Sequence, residues 1–396
     1  MWNNSEPTHF YTKHFLPSWL DQKELQSLVK QEVREYNDII KICSKMEYYT
    51  QPALNLQIQL QLRGNITRTI DFLVKSREVV NSVPLKFAVA TGFDVELYMY
   101  DQLLPALDRL YRNVGQTIHF GPKRLRPKVP ATNISRCLYL DYMQAKGYDV
   151  VNHGLEKSAM QIALSKLAAY HAATTVYLQY VGEITELPKL LSSNPPPKAV
   201  TDFKNSLQFH FLDSLRSIRF REYEDKVKSF QRYVANNLQH QDADNAFNVI
   251  LIGACSLNNL LCHTEVEGHI KDILFTDFGA ATYGPAVYDI FHLFLTAPRG
   301  ADKIENFDDH LKFYHEQLIM NLQLLGYKEV LPTLSDLESD LHKFRHWGFE
   351  AATEVLPISL VNNSKDLNDV FRYWRYTEQI KEILPWLENR GYLKED

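Results

Sequence analysis

The apolar positions change period several times along the chain. The opening segment, Leu16-Pro-Ser-Trp-Leu20 then Asp21 to Glu35, predicts a helix, with Ser18 or Asp21 placed to cap it and Trp19, Leu20, Leu25 and Leu28/Val29 as its apolar stripe. Asn55 to Leu62 then alternates strictly, Leu-Gln-Ile-Gln-Leu-Gln-Leu from Leu56, as a half-buried strand does. A turn at Arg63-Gly64-Asn65 leads into the β-rich run Thr67 to Val74, so the pair predicts a hairpin. Helical spacing returns from Phe93 to Leu110, where Pro105 predicts a kink or an end. Arg136 to Met143 is a short apolar strand. From Gly154 onward the pattern is mainly helical, interrupted by a strand-rich stretch from Phe247 to Thr276 and a surface loop at Ser192 to Lys198.

A β-rich first third followed by a helical remainder predicts an α+β fold of two unlike lobes. The division falls near Met143 to Asp149, giving residues 1–143 and 144–396. At 45% hydrophobic residues, both parts can bury real cores.

Charge narrows the function. The net charge of −5, without a Lys/Arg block, argues against nucleic-acid binding and against a polybasic membrane patch. No window approaches the ~20 apolar residues of a membrane span, and Met1 to Pro17 lacks the apolar run of a signal peptide. The four cysteines are scattered without metal-ligand spacing, which fits a reducing compartment. The expected location is the cytoplasm.

The most informative segment is Thr276-Asp277-Phe278-Gly279, preceded by the short strand Ile273-Leu274-Phe275. Taken alone, the triplet reads as a buried aspartate in a turn. Asn259 lies eighteen residues upstream, and kinase-type phosphotransfer uses one Asp and one Asn to hold Mg²⁺ against phosphates. Magnesium takes hard oxygen ligands, which a carboxylate and an amide supply. A second aspartate, Asp289, follows Tyr283-Gly284-Pro285.

Here the chain resembles the insect ecdysteroid-kinase-like family, in the aminoglycoside- and choline-kinase branch of the protein-kinase-like fold. The motifs are Asp277-Phe278-Gly279 through Asp289-Ile290, Leu167-Ala168-Ala169-Tyr170-His171-Ala172, the opening Pro17-Ser18-Trp19-Leu20 and the closing Asn389-Arg390-Gly391-Tyr392-Leu393. The resemblance implies a bilobal fold with ATP and Mg²⁺ as cofactors. Phe72-Leu73-Val74-Lys75 then looks like the strand ending in the phosphate-binding lysine, and Glu96 like the residue that pairs with it. Leu138 to Met143 looks like the hinge, placing Asp141 and Met143 beside an adenine. Asn55 lies in the phosphate turn, and Asn259 and Asp277 are the metal candidates. His171 reads as a buried structural histidine, and Asp289 as a brace beneath the loop of Asn259.

The family's catalytic loop, His-Gly-Asp-x-Trp-x-x-Asn, is degraded. The matching residues are Ile252 for His, Ala254 for the catalytic Asp and Ser256 for Trp. Ala254 cannot accept a hydroxyl proton. Asp242 and Asp244 lie too far upstream to replace it, and Cys255 should point off the other side of an extended segment. The phosphate turn, Tyr49 to Ile58, has no glycine, carries Pro52, and has Ile58 where the family has Ser. Two readings follow. One is a pseudokinase that holds a nucleotide, a small lipophilic ligand such as a steroid or xenobiotic, or a protein partner. The other is a working kinase acting on a hydroxyl of an ecdysteroid or xenobiotic.

Overall fold

The computed structural model describes residues 9–11, 16, 18, 20–48, 52–76, 92–128, 137–182, 198–238, 243–266, 268–360 and 367–395. Pro17, Trp19, Tyr49 to Gln51, Arg136 and Ser192 to Pro197 lie outside the described residues.

Strands β1 (His9–Tyr11), β2 (Asp38–Tyr48), β3 (Pro52–Gln61), β4 (Thr67–Ser76), β5 (Arg124–Leu125) and β6 (Cys137–Asp141) form one antiparallel sheet. Their order is β1-β2-β3-β4-β6-β5. The expected β3–β4 hairpin is present, with Asn55 opposite Leu73 and Ile58 opposite Ile70. Helix α1 (Gln22–Glu32) is shorter than the expected Leu16 to Glu35: Leu20 lies ahead of it, and Asp21 is its cap, accepting from the Lys23 and Glu24 amides at 2.8 and 3.0 Å.

The alternation assigns one face of the sheet to each side. Leu54, Leu56 and Ile58 pack with Leu25, Leu28 and Val29 of α1. Ala53, Leu73, Leu138 and Leu140 face the other way and join the core of the helical part. Strand β2 was not anticipated. A register shift between Ile39 and Lys41, beside the exposed Ile40, breaks the period-two pattern by which a strand is recognised.

Helix α2 (Phe93–Tyr98) does not end at Pro105. A π-helical turn, Met99–Leu103, joins it to α3 (Leu104–Asn113), and Pro105 falls in the first turn of α3. Proline is accommodated there because the π turn opens the helix just ahead of it, the Leu104 amide reaching back to the Met99 carbonyl.

The remainder is mostly helical. It contains α4 (Lys157–Val181), α5 (Lys198–Ser217), α6 (Glu222–Tyr233), α7 (Val287–Thr296), α8 (Phe307–Leu324), α9 (Leu334–Lys343) and α10 (Trp374–Asn389). Between α6 and α7 lie β8 (Asn248–Leu251), β9 (Leu260–Thr264), β10 (Ile270–Phe275) and β11 (Thr282–Pro285), so the strand-rich stretch extends past Thr276. β9 pairs with β10 and with β7 (Tyr148–Val150), and β8 pairs with β11. The fold is α+β in two unlike parts, as the sequence predicts.

Candidate functional site

Lys75 sits near the end of β4, two residues from Leu73 and therefore on the inner face of the sheet. Glu96 projects from α2. The first turn of that helix is docked by the Gly92 amide, which donates to the Gly279 carbonyl at 2.8 Å. This bond brings the turn after Asp277 against the helix that carries Glu96. Lys75 Nζ lies 2.7 Å from Glu96 Oε1 and also donates to Asp277 Oδ1. Lys75, Glu96 and Asp277 are all fully buried.

Burial works against the Lys75 ammonium, but the Asp277 and Glu96 carboxylates outweigh it and hold its pKa above the ordinary value. Burial pushes Glu96 upward, with Lys75 pulling the other way. Asp277 adopts a left-handed backbone, φ 61°. This turns Phe278 into the core, where its ring meets Tyr100 edge-on at 5.5 Å and Tyr170 at 6.3 Å.

The degraded loop follows β8. Asp289, on α7, accepts from the amides of Ile252 at 2.7 Å and Gly253 at 3.1 Å. Its Oδ2 also lies 3.2 Å from Nε2 of His171, whose Nδ1 lies 2.7 Å from the Tyr314 hydroxyl. His171 and Asp289 are fully buried. Asp289→Ala should therefore strand two amides and an imidazole, costing about 3 kcal/mol or more. Urea unfolding checks this. Asp289→Asn, which keeps one acceptor oxygen, is expected to lose less.

Asn259 Nδ2 donates to the Ala254 carbonyl at 2.7 Å, and the Thr276 amide donates to the Asn259 carbonyl at 3.0 Å. The second bond sets Asn259 beside the residue preceding Asp277. These bonds tie the loop to the residue before Asp277, while position 254 presents only a methyl group. Cys255 offers no substitute base, because it is fully buried and its thiol is pushed well up by burial, with Asp289 adding to the effect.

Asn55 shares the inner face with Ala53 and, across the strands, Leu73. Its Oδ1 is buried without a hydrogen-bond partner among the described residues. Ile58 is buried on the opposite face, under α1. Asp141 alternates with Leu140 and shares the face of Tyr139, whose hydroxyl donates to Glu24 of α1 at 2.9 Å. The Asp141 carboxylate pairs with Lys146 at 2.7 Å, and its amide donates to the Lys123 carbonyl at 2.9 Å. Met143 packs with Leu261 and Leu274. Asp141 and Met143 line a cavity of about 530 Å³ together with Arg124 and Tyr148, and Lys75 does not line it. The structure therefore gathers Lys75, Glu96 and Asp277 directly, links Asn259 to them through the backbone, and turns the Asp141 side chain elsewhere.

Three contributors were not singled out from sequence: Tyr314, Gly92 and Gly253. Gly253 has φ 77°, and a Cβ there would lie 1.9 Å from the Ala280 carbonyl oxygen. Its only sequence signal is a glycine inside the loop motif.

Among the described residues there is no group of three or more His, Cys, Asp or Glu placed to hold a metal. The donor set at this site is one carboxylate and one amide, whose hard oxygens suit Mg²⁺. No described helix is long and apolar enough to cross a membrane.

Residues 45–327 match the ecdysteroid kinase-like family. The comparison with curated proteins gave no match. Among solved structures, the chain is similar to an ethanolamine kinase of Plasmodium vivax at 12% identity, covering 88% of this chain and 83% of that one with TM-score 0.42. It is similar to a spectinomycin phosphotransferase in complex with ADP and spectinomycin at 12% identity, covering 91% and 98% with TM-score 0.44. It is also similar to a choline/ethanolamine kinase family protein of Mesorhizobium loti at 10% identity, covering 91% and 99% with TM-score 0.32.

Proposed function

The chain belongs to the ecdysteroid kinase-like family, and from that premise we propose that it is a pseudokinase: it takes Mg·ATP between its two lobes and transfers phosphate poorly. The observation that carries this reading is the complete, buried Lys75–Glu96–Asp277 cluster beside a loop whose proton-accepting position is Ala254.

Residues 1–143 and 144–396 form the two lobes. Glu96 holds the Lys75 ammonium where it meets the nucleotide phosphates. Asp277 and Asn259 would hold Mg²⁺, which supplies positive charge against the phosphate oxygens. Asn55 approaches the phosphates from the inner face of β3, and Met143 contributes backbone at the adenine edge. Asp289 and His171 support the loop through its amides. With Ala254, no side chain accepts the proton of an attacking hydroxyl, and loss of a general base typically costs ~10²–10⁴-fold. Phosphoryl transfer depends more on positioning and charge than on the base, so binding survives that loss better than turnover does. The further ligand is a small lipophilic molecule such as a steroid or xenobiotic, or a protein partner, met in the cytoplasm.

The test is the melting temperature with and without Mg·ATP, for wild type and Asp277→Asn. Ligand at ~100 times its dissociation constant stabilises a fold by about 2.7 kcal/mol. A shift in wild type that vanishes in the variant is expected. No shift in wild type would sink the nucleotide reading.

The intact cluster also favours a second reading, an active kinase for a hydroxyl of an ecdysteroid or xenobiotic. Turnover in Asp277→Asn equal to wild type would count decisively against it.

A further inference from the structure

The helical part contains a second cavity, of about 390 Å³, lined by residues of α7, α10 and the short helix Asp302–Glu305. Lys303 on that short helix is 2% exposed. Its ammonium donates to the Pro298 carbonyl, and no described carboxylate lies within ion-pair reach. An ammonium carries three donors, and a neutral carbonyl takes up one. Burial pushes the Lys303 pKa down to about 7, with Asp302 opposing. On α10, the Gln379 Oε1 is buried without a partner among the described residues. The N–H₂ of the same side chain is not buried, makes no hydrogen bond among the described residues, and belongs to the cavity lining. One cavity is therefore lined by an under-coordinated buried cation and by an amide whose N–H₂ is unbonded. Beside them are apolar walls from Leu257, Leu360 and the Trp374 ring.

The other charges around the cavity do not cancel Lys303. Arg375 rests on the Trp374 ring at 5.5 Å and reaches the Asn152 carbonyl at 3.3 Å and His153 at 3.4 Å. Arg299 is paired with Glu156 at 2.9 Å. Glu378 and Glu382 lie exposed at the rim, and Glu378 is paired with Lys381 at 2.9 Å. Exposed charges are screened by water and salt, whereas a buried ammonium is not.

We propose that this cavity binds an apolar carboxylate, its anionic head on Lys303 and Gln379 and its hydrocarbon body against Leu257, Leu360 and Trp374. The site is separate from the nucleotide cleft and does not depend on that reading. Binding requires the ammonium. It is protonated below about pH 7 and is lost as pH rises, so affinity falls by about tenfold per pH unit above that point.

Octanoate titrated into the full chain, followed by tryptophan fluorescence and calorimetry, is the test. Octanoate is expected to bind, with a signal that Trp374→Phe removes, and to weaken about tenfold between pH 7.5 and 8.5. Lys303→Met, which keeps the length of the side chain, should lose at least tenfold in affinity while melting no lower than wild type. Should that variant not fold, Gln379→Leu and the pH series on wild type still decide. Octanol binding as tightly as octanoate, octanoate affinity unchanged between pH 7.5 and 8.5, displacement by inorganic phosphate, or displacement by Mg·ATP would each overturn the proposal. The last two would assign the cavity to phosphate or to the nucleotide itself.

Discussion

Lys75→Met is expected to destabilise the fold by about 3–5 kcal/mol, the cost of removing one partner from a buried ionic group. Lys75 is the shared cation of Glu96 and Asp277, and all three side chains are out of water. Without it, two carboxylates face each other in a low-dielectric setting, where neither is readily ionised. The expected signature is a lowered denaturation midpoint at neutral pH that partly recovers as pH falls. The sign follows from linkage. Glu96 already has its pKa raised in the fold, and removing Lys75 raises it further. A group that binds its proton more tightly when folded stabilises the fold increasingly at low pH. Adding Glu96→Gln should restore part of the loss, because it removes one of the two uncompensated charges. A Lys75→Met protein unfolding at the wild-type denaturant concentration would show that the three groups do not form a buried ionic unit.

Gly253→Ala is the second large effect. Its backbone has φ 77°, and the added Cβ would sit 1.9 Å from the Ala280 carbonyl oxygen. The left-handed conformation costs a non-glycine residue roughly 1–2 kcal/mol, and forcing a methyl into a packed site adds roughly 1–3 kcal/mol. The amide of Gly253 is also one of the two held by Asp289, so displacing it shifts the loop that carries Ala254 and Asn259. A clear fall in stability is expected, together with loss of the Mg·ATP-induced melting shift. Gly64→Ala is the control. It has φ 78° in an exposed turn, and nothing lies within 4 Å of its added Cβ, so it reports the backbone cost alone. Equal losses for the two variants would mean that the close approach to Ala280 contributes nothing.

Much of the local structure was legible because it is written in nearest-neighbour patterns. Strict alternation from Leu56 to Leu62 specifies a strand with one apolar face, and Arg63-Gly64-Asn65 closes the hairpin, with Gly64 at positive φ. Of the two caps the sequence offered for α1, Ser18 and Asp21, the fold uses Asp21. Where a second effect intrudes, the local reading slips. The bulge near Ile40 hid β2, and the π turn before Pro105 let a helix run through a residue that ordinarily stops one.

By itself, the sequence determined the α+β class, the family, the candidate residues Lys75, Glu96, Asn259 and Asp277, and the absence of a carboxylate at position 254. The tertiary structure alone decided which of these meet. Lys75 reaches Glu96 across 21 positions and Asp277 across 202. No local periodicity encodes such separations, because they depend on how a sheet face, a helix and a turn pack together. The same packing turned Asp141 toward Lys146, placed Asp289 under the loop amides, and left Lys303 facing a cavity. Side-chain chemistry is a property of the sequence, whereas burial and partners belong to the fold, and those two set whether a charge is an inert surface group or a functional one.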